Sequence, residues 1–300
     1  MRTTSPGSSP ARRAARRSMP LLDAALLCLL GGGVAWLWRH AQATLPQQWE
    51  WGRVLGYVLW QDASGWHAGL LLQGLASTLR LGCWSGLLAL ALGTAIGVWT
   101  SRSRGPSAAL GHMLVTLLRN TPPLVLLFLL YFFAAERLFP GLEQALRQWP
   151  PLLREAAALL FAPPAQADRM AAAVLTLGLY EGAYVAEIVR AGLQSVPQGQ
   201  WDAGAALGFS RGQRLRLIAL PQCLPLMLPP LAGQCISTFK DSALASLISV
   251  PELTFQSMEV MSVTRLPFEV WIVAGALYLL LSLTCSALFR RLERRLRQRG

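Results

Sequence analysis

Six stretches of apolar sequence, at 21–38, 69–99, 112–134, 170–190, 223–250 and 268–289, are each long enough to cross a bilayer, which takes about 17 to 25 residues of helix. In hydrocarbon every backbone amide must find its partner within the chain, so runs of this length read as helices. The charge content agrees: Asp, Glu, Lys and Arg make up 14% of the 300 residues, against about 25% in a soluble domain. The expectation is an all-α integral-membrane helix bundle of about six transmembrane helices.

The formal charge of +12 admits either a nucleic-acid partner or a membrane orientation, and its distribution decides between them. Seventeen of the 27 basic residues fall at 1–20, 100–111, 190–222 and 290–300. The intervening loops, 39–68, 135–169 and 251–267, hold seven, offset by acids. Positive residues collect on the cytoplasmic side of short loops. Both termini are therefore expected in the cytoplasm of a multi-pass protein, with no nucleic acid as partner.

Residues 1–18, rich in Ser, Pro and Arg, read as a disordered cytoplasmic N-terminus. Residues 19–68 read as an extra N-terminal transmembrane helix and an exported segment rich in tryptophan. Its Arg-rich start and Ala41-Gln42-Ala43 imitate a signal peptide, but the apolar run through Trp38 is long for one, which favours a retained helix. Residues 69–290 form the main membrane domain and 291–300 a basic cytoplasmic tail. Prolines divide 135–169 into pieces, with short helices expected at 141–149 and 152–161. Small residues at helical spacing, Gly82/Gly86, Ala89/Gly93/Gly97 and Gly178/Gly182/Ala186, mark faces where helices approach closely.

The five cysteines form no CxxC pair, and the three histidines, His40, His67 and His112, are scattered, so neither a metal site nor an acid–base centre is indicated. No G-x4-G-K-[S/T] phosphate loop occurs. An integral-membrane enzyme is disfavoured on these grounds. A self-sufficient ion-coupled transporter should show inverted repeats and broken helices, and neither is visible in the sequence.

Residues 187–222, EIVRAGLQSVPQGQWDAGAALGFSRGQRLRLIALPQ, are too polar to face lipid and lie between two spans. Pro197 and Gly199 break the preceding helix, Asp202 suits the positive end of a new one, and Gly208 allows the left-handed conformation that ends it. A two-turn helix over 200–207 is expected, with Ala203, Gly204, Ala205 and Ala206 giving it a nearly bare face. Leu220-Pro221 is expected to open the next span, where proline lacks no needed donor.

The pattern Asp202-Ala203-Gly204, then Gly208, then Ile218-x-Leu220-Pro221 resembles the EAA loop of ABC importer permeases, E-A-A-x3-G-x9-I-x-L-P. Asp202 stands for Glu and Gly204 for the second Ala. Further segments resemble the polar amino-acid branch of that family, which serves histidine, glutamine, glutamate, arginine and opines: GLASTLRL at 74–81, RNTPPLVLLFLLYF at 119–132, GAYVAEIVRAGLQSVPQGQ at 182–200 and FKDSALASLISVPEL at 239–253. Asn120 and Leu127 depart from its usual Gly and Gln. The resemblance implies the type I ABC importer transmembrane fold in a bacterial inner membrane and no cofactor in this chain. It also implies three partners: a separate ATP-binding cassette subunit, a second permease subunit of the same or a related chain, and a periplasmic amino-acid-binding protein. By the same resemblance, Asp202, Ala203, Gly204, Gly208, Ile218, Leu220 and Pro221 couple the chain to the ATPase. Which amino acid is carried stays open.

Charges within spans need partners, because an unpaired one costs about 2.5–3.5 kcal/mol. Glu187 and Arg190, one turn apart, pair locally as anchors or as a gate, with Arg119 nearby in kind. Glu181 with Tyr184, and Lys240 (the chain's sole lysine) with Asp241, are candidates for the substrate path, Glu181 for an ammonium group and Lys240 for a carboxylate. Pairing with another helix or across a subunit interface is the competing reading of Glu181.

Overall fold

A computed structural model describes residues 24–33, 35, 36, 39, 40, 49–102, 105–139 and 141–297. The chain divides into two units, residues 1–49 and 50–300. The first holds α1, an apolar helix whose continuously described part is Ala24–Gly33, with residues 35, 36, 39 and 40 also helical. The expected disorder of 1–18, the Ala41-Gln42-Ala43 site and the ends of the first expected span lie outside the described residues.

The second unit opens with α2 (Trp51–Leu55) and a two-stranded antiparallel hairpin, β1 (Leu59–Asp62) and β2 (Gly65–Ala68). An all-α reading does not anticipate this hairpin. The Asp62 carboxylate closes its turn by accepting from the Ser64 amide at 2.7 Å and from His67 at 3.0 Å, and the Trp60 and His67 rings stack across the strands. Bonding from the Ser64 hydroxyl, then its amide, holds the Asp62 carboxyl below its ordinary pKa.

The membrane core is built on α3 (Leu70–Arg102) and α9 (Ala167–Gln194). Their contact follows the small-residue stripe, as expected. A Cβ placed on Gly93 would lie 2.6 Å from the Gly182 carbonyl oxygen, and one on Gly97 would lie 2.6 Å from that of Ala186. Gly178 in turn receives Leu88, and Gly82 receives the Phe239 ring. Gly86 differs: nothing lies within 4 Å of its missing side chain, so it has no packing role here.

Between these helices, the apolar run 112–134 is not one span. α4 (Pro106–Asn120) and α5, starting at Pro123 (Pro123–Leu130), meet at 110°. Thr121 and Pro122 are extended, because a residue before proline avoids the helical region and two consecutive prolines remove two amide donors. α5 passes through a π-helical turn (Tyr131–Ala135) into α6 (Glu136–Leu138). α7 (Leu142–Arg147) and α8 (Pro151–Leu160) follow, close to the two expected short helices. Trp84 on α3 donates to the Leu160 carbonyl at 2.9 Å and ties α8 down.

After α9 come α10 (Gln198–Ala206), α11 (Arg211–Gln213), a π-helical turn (Arg214–Ala219) and α12 (Leu220–Asp241). From Arg211 to Ile248 the chain is helical without interruption. Pro221 is thus the second residue of α12 but lies inside a longer helical run, two residues past the π turn, where the backbone ladder has already shifted. α12 continues into a 3₁₀ segment (Ser242–Ile248), so Lys240 and Asp241 sit where the α-helix gives way to 3₁₀ geometry, inside the helical run that ends at Ile248.

The stretch 251–267, expected as a loop, forms α13 (Leu253–Thr264), which packs against α3 and α14 (Pro267–Arg297) with Leu253, Gln256, Ser257 and Val260 buried. Glu252 caps it, accepting from the amides of Thr254 at 2.9 Å and Phe255 at 2.7 Å, and from the Tyr278 hydroxyl at 2.7 Å. Among the described residues, four helices are long and apolar enough to cross a membrane, or five if α4 and α5 count as one broken span.

Candidate functional site

The polar loop after α9 folds as a small, anchored platform. Pro197 starts α10, since its fixed φ of −55° suits a helix entry and its missing amide is not needed there. Gly208 ends the helix with φ +80°. Its amide donates to the Ala205 carbonyl at 3.0 Å, and the Phe209 amide donates to that of Gly204 at 3.0 Å, the paired bonds of a Schellman cap.

Only one side of α10 faces the protein. Trp201 and Gly204 are buried, while Asp202, Ala203, Ala205, Ala206 and Leu207 are exposed, Leu207 at 74%. Trp201 inserts into a cluster with Val189, Leu193, Val196 and Met227, so α10 is bolted to α9 and α12. Gly204 lies against Ile218 and the Arg214 stem, and a Cβ there would collide with the Ile218 side chain. Gly204 thus belongs to the anchoring side and not to the bare outer face. Asp202 is also placed differently from expectation. It is the fifth residue of α10, past the first turn, and its carboxylate accepts from the Gln198 side-chain Nε2 at 2.9 Å. Leu220 packs at the edge of the same cluster and Pro221 is exposed.

Three residues not singled out in the sequence hold this platform. Arg102, the last residue of α3, lies 3.9 Å over the Trp201 ring and donates to Gln198 at 2.6 Å. Arg214 reaches the Trp201 carbonyl at 3.5 Å. The tryptophan beside Asp202 was the available signal, a large aromatic in an otherwise small and polar loop.

Within the membrane core, Glu187 pairs with Arg190 on α9 and lies 3.9 Å from Arg119 on α4, so it links two helices as well as one turn. Arg190 also donates to Gln194 at 2.6 Å. Glu181 is wholly enclosed. It accepts from the Gln234 side chain on α12, with Thr238 and Asp241 facing it from the following turns. Its other oxygen has no hydrogen-bond partner among the described residues. Tyr180 and Tyr184 bond each other at 3.2 Å, and Tyr184 lies under Arg119. Lys240 is exposed, and no bond joins it to Glu181. Gln234 was missed, although Gln234, Thr238 and Asp241 recur at helical spacing and mark one polar stripe on an apolar helix.

The family described as binding-protein-dependent transport system inner membrane component matches the chain over residues 89–298. The glutamine transport system permease protein GlnP of Escherichia coli (strain K12) is 33% identical over 232 residues, covering 76% of this chain and 93% of that protein. The arginine ABC transporter permease protein ArtQ of the same organism is 31% identical over 218 residues, covering 70% and 87%. Among solved structures, an amino acid ABC transporter crystallised with histidines matches with a TM-score of 0.58 at 31% identity, covering 75% of this chain and 94% of that one. This chain belongs to the family of inner membrane components of binding-protein-dependent transport systems, as a permease subunit and not an enzyme.

Proposed function

We propose that the chain is the permease subunit of an ATP-driven importer of polar amino acids, with its termini in the cytoplasm, and that α10 docks on a separate ATP-binding subunit. The observation that carries the docking role is the two-sidedness of α10: Trp201 and Gly204 hold it rigidly, while a face of Asp202, Ala203, Ala205, Ala206 and Leu207 is left uncovered. A rigid lever with a small-residue outer face can transmit force both ways. Gly208, Ile218, Leu220 and Pro221 belong to the same assembly through the cap, the Gly204 contact and the helix that continues into the membrane. The permease domain is assigned to 69–290, the loop to 187–222 and the basic tail to 291–300.

Two relatives named for glutamine and arginine transport support an amino-acid substrate. A second permease subunit is assigned to the exposed stripe of α12, which carries Gln222, Leu226, Pro229, Gly233 and Lys240 at helical spacing. Gly233 permits close approach there, and a lysine at an apolar surface calls for a partner or a water-filled path. Tyr184, Lys240 and Asp241 are placed along that path. Glu181, enclosed against Gln234, is placed behind it as a helix lock. A periplasmic binding protein would deliver the substrate.

Co-expression with an ATP-binding subunit and an amino-acid-binding protein, followed by uptake of labelled glutamine, arginine and histidine into proteoliposomes, tests this reading. ATP-dependent uptake of at least one is expected. Copurification of the ATPase with no amino-acid uptake would reject the substrate, and failure to copurify would reject the docking role.

A further inference from the structure

At the end of α3, beside α10, lies an open cavity of about 1080 Å³. Arg102, Arg211 and Arg214 line it with His112, and no Asp or Glu is among its lining residues. None of the three arginines has a carboxylate within 4 Å among the described residues. Among the described residues, Arg214 makes one hydrogen bond at the limit of length, and its Nε has no partner. A guanidinium offers five donors, so most of this cluster's capacity is unused.

Three guanidiniums around one cavity, with no carboxylate in ion-pair contact and Asp202 as the acid that acts on Arg102 from further off, ask for an anion with several oxygens, and phosphate suits that geometry best. The level of the site indicates its source. α3 carries no charge from Leu81 to Trp99, and Trp99, an exposed ring at its end, lines the cavity, as expected where a span meets the headgroup layer. On α4, next to His112, Leu110, Met113 and Leu114 stand exposed at 65%, 66% and 46%. Phosphate oxygens would thus meet arginine where acyl chains would meet bare apolar helix.

We propose that this cavity binds the phosphate of an anionic phospholipid headgroup, so that the lipid seats against the arginines that carry α10. The inference rests on the chain's place in the membrane and not on the ATPase-docking role of α10.

Native mass spectrometry of the delipidated permease complex, titrated with phosphatidylglycerol and with phosphatidylcholine of the same acyl chains, tests it. Phosphatidylglycerol should bind at least about tenfold more tightly, since surface arginines each favour anionic lipid. The pair Arg211→Gln and Arg214→Gln should lower that affinity by about tenfold or more. The exposed Arg211→Gln alone should lower it part of the way in a complex that still assembles. The pair Arg216→Gln and Arg291→Gln, which removes equal charge outside the cavity, should leave it unchanged. Equal binding of the two lipids, or an equal loss in the control pair, would overturn the proposal. Displacement of phosphatidylglycerol by equimolar glycerol 3-phosphate would assign the cavity to a soluble phosphate and overturn the lipid source.

Discussion

Gly208 carries the sharpest demand that the chain makes on a single residue. Its φ of +80° is open to glycine and closed to a β-branched side chain, while the space around its missing Cβ is empty. Gly208→Val should therefore disturb the backbone and nothing else. A left-handed residue costs roughly 1–2 kcal/mol, more when β-branched, enough to fray the two cap bonds without unfolding a bundle. The expected outcome is normal membrane levels with uptake reduced several-fold, measured against a Gly208→Ala variant that loses less. Glu181 makes a different demand. Its partner Gln234 lies on another helix, 53 residues away, so Glu181→Ala would strand a half-buried amide at a cost of about 1 kcal/mol. That variant should lower the melting temperature of the complex, whereas Glu181→Gln, which keeps an acceptor for Gln234, should assemble and transport. Loss of uptake in Glu181→Gln with ATPase stimulation intact would instead make Glu181 a substrate contact. The sequence discloses Glu181 as an isolated acid, yet not what faces it, because a pairing between helices leaves no local spacing to read.

At the scale of elements, what could be read depended on whether local chemistry and apolar content agreed. They agree for α10, where Pro197 and Gly208 bracket a short helix, and for the Gly93/Gly97 seam on α3. They conflict at Thr121-Pro122-Pro123, where apolar content suggests a span and proline geometry imposes a bend of 110°. α13 leaves no such signal, because its twelve residues are too few for a crossing and its apolar residues follow no clear helical period. Its cap, Glu252, gives the element a pH signature. Burial raises the Glu252 pKa from 4.5 to about 7, partly offset by bonds from the Thr254 and Phe255 amides and the Tyr278 hydroxyl. A carboxyl raised in the folded state binds its proton more tightly there, so this contribution is complete below pH 4.5 and is lost as pH rises through about 7. Thermal melts of the purified complex between those limits should show stability falling with pH, and Glu252→Gln should flatten the slope. An unchanged slope in the variant would separate Glu252 from the effect.

For the molecule as a whole, the arginine distribution and the helix order make one statement about sidedness. α3 and α9 must end on the face that bears α10, and α8 must lie on the opposite face. In intact cells a membrane-impermeant maleimide should label Leu152→Cys, on a residue 77% exposed, and should miss Ser210→Cys until the membrane is opened. Labelling of Ser210→Cys from outside would invert the orientation. The central claim, that α10 is the surface met by the ATP-binding subunit, is tested most directly by cross-linking from its outer face. Leu207→Cys, at a side chain 74% exposed, should join to the ATP-binding subunit through a short bifunctional maleimide, while Leu117→Cys, 56% exposed within the bundle, should not. Absence of any Leu207 product in an intact, ATP-hydrolysing complex would contradict the account.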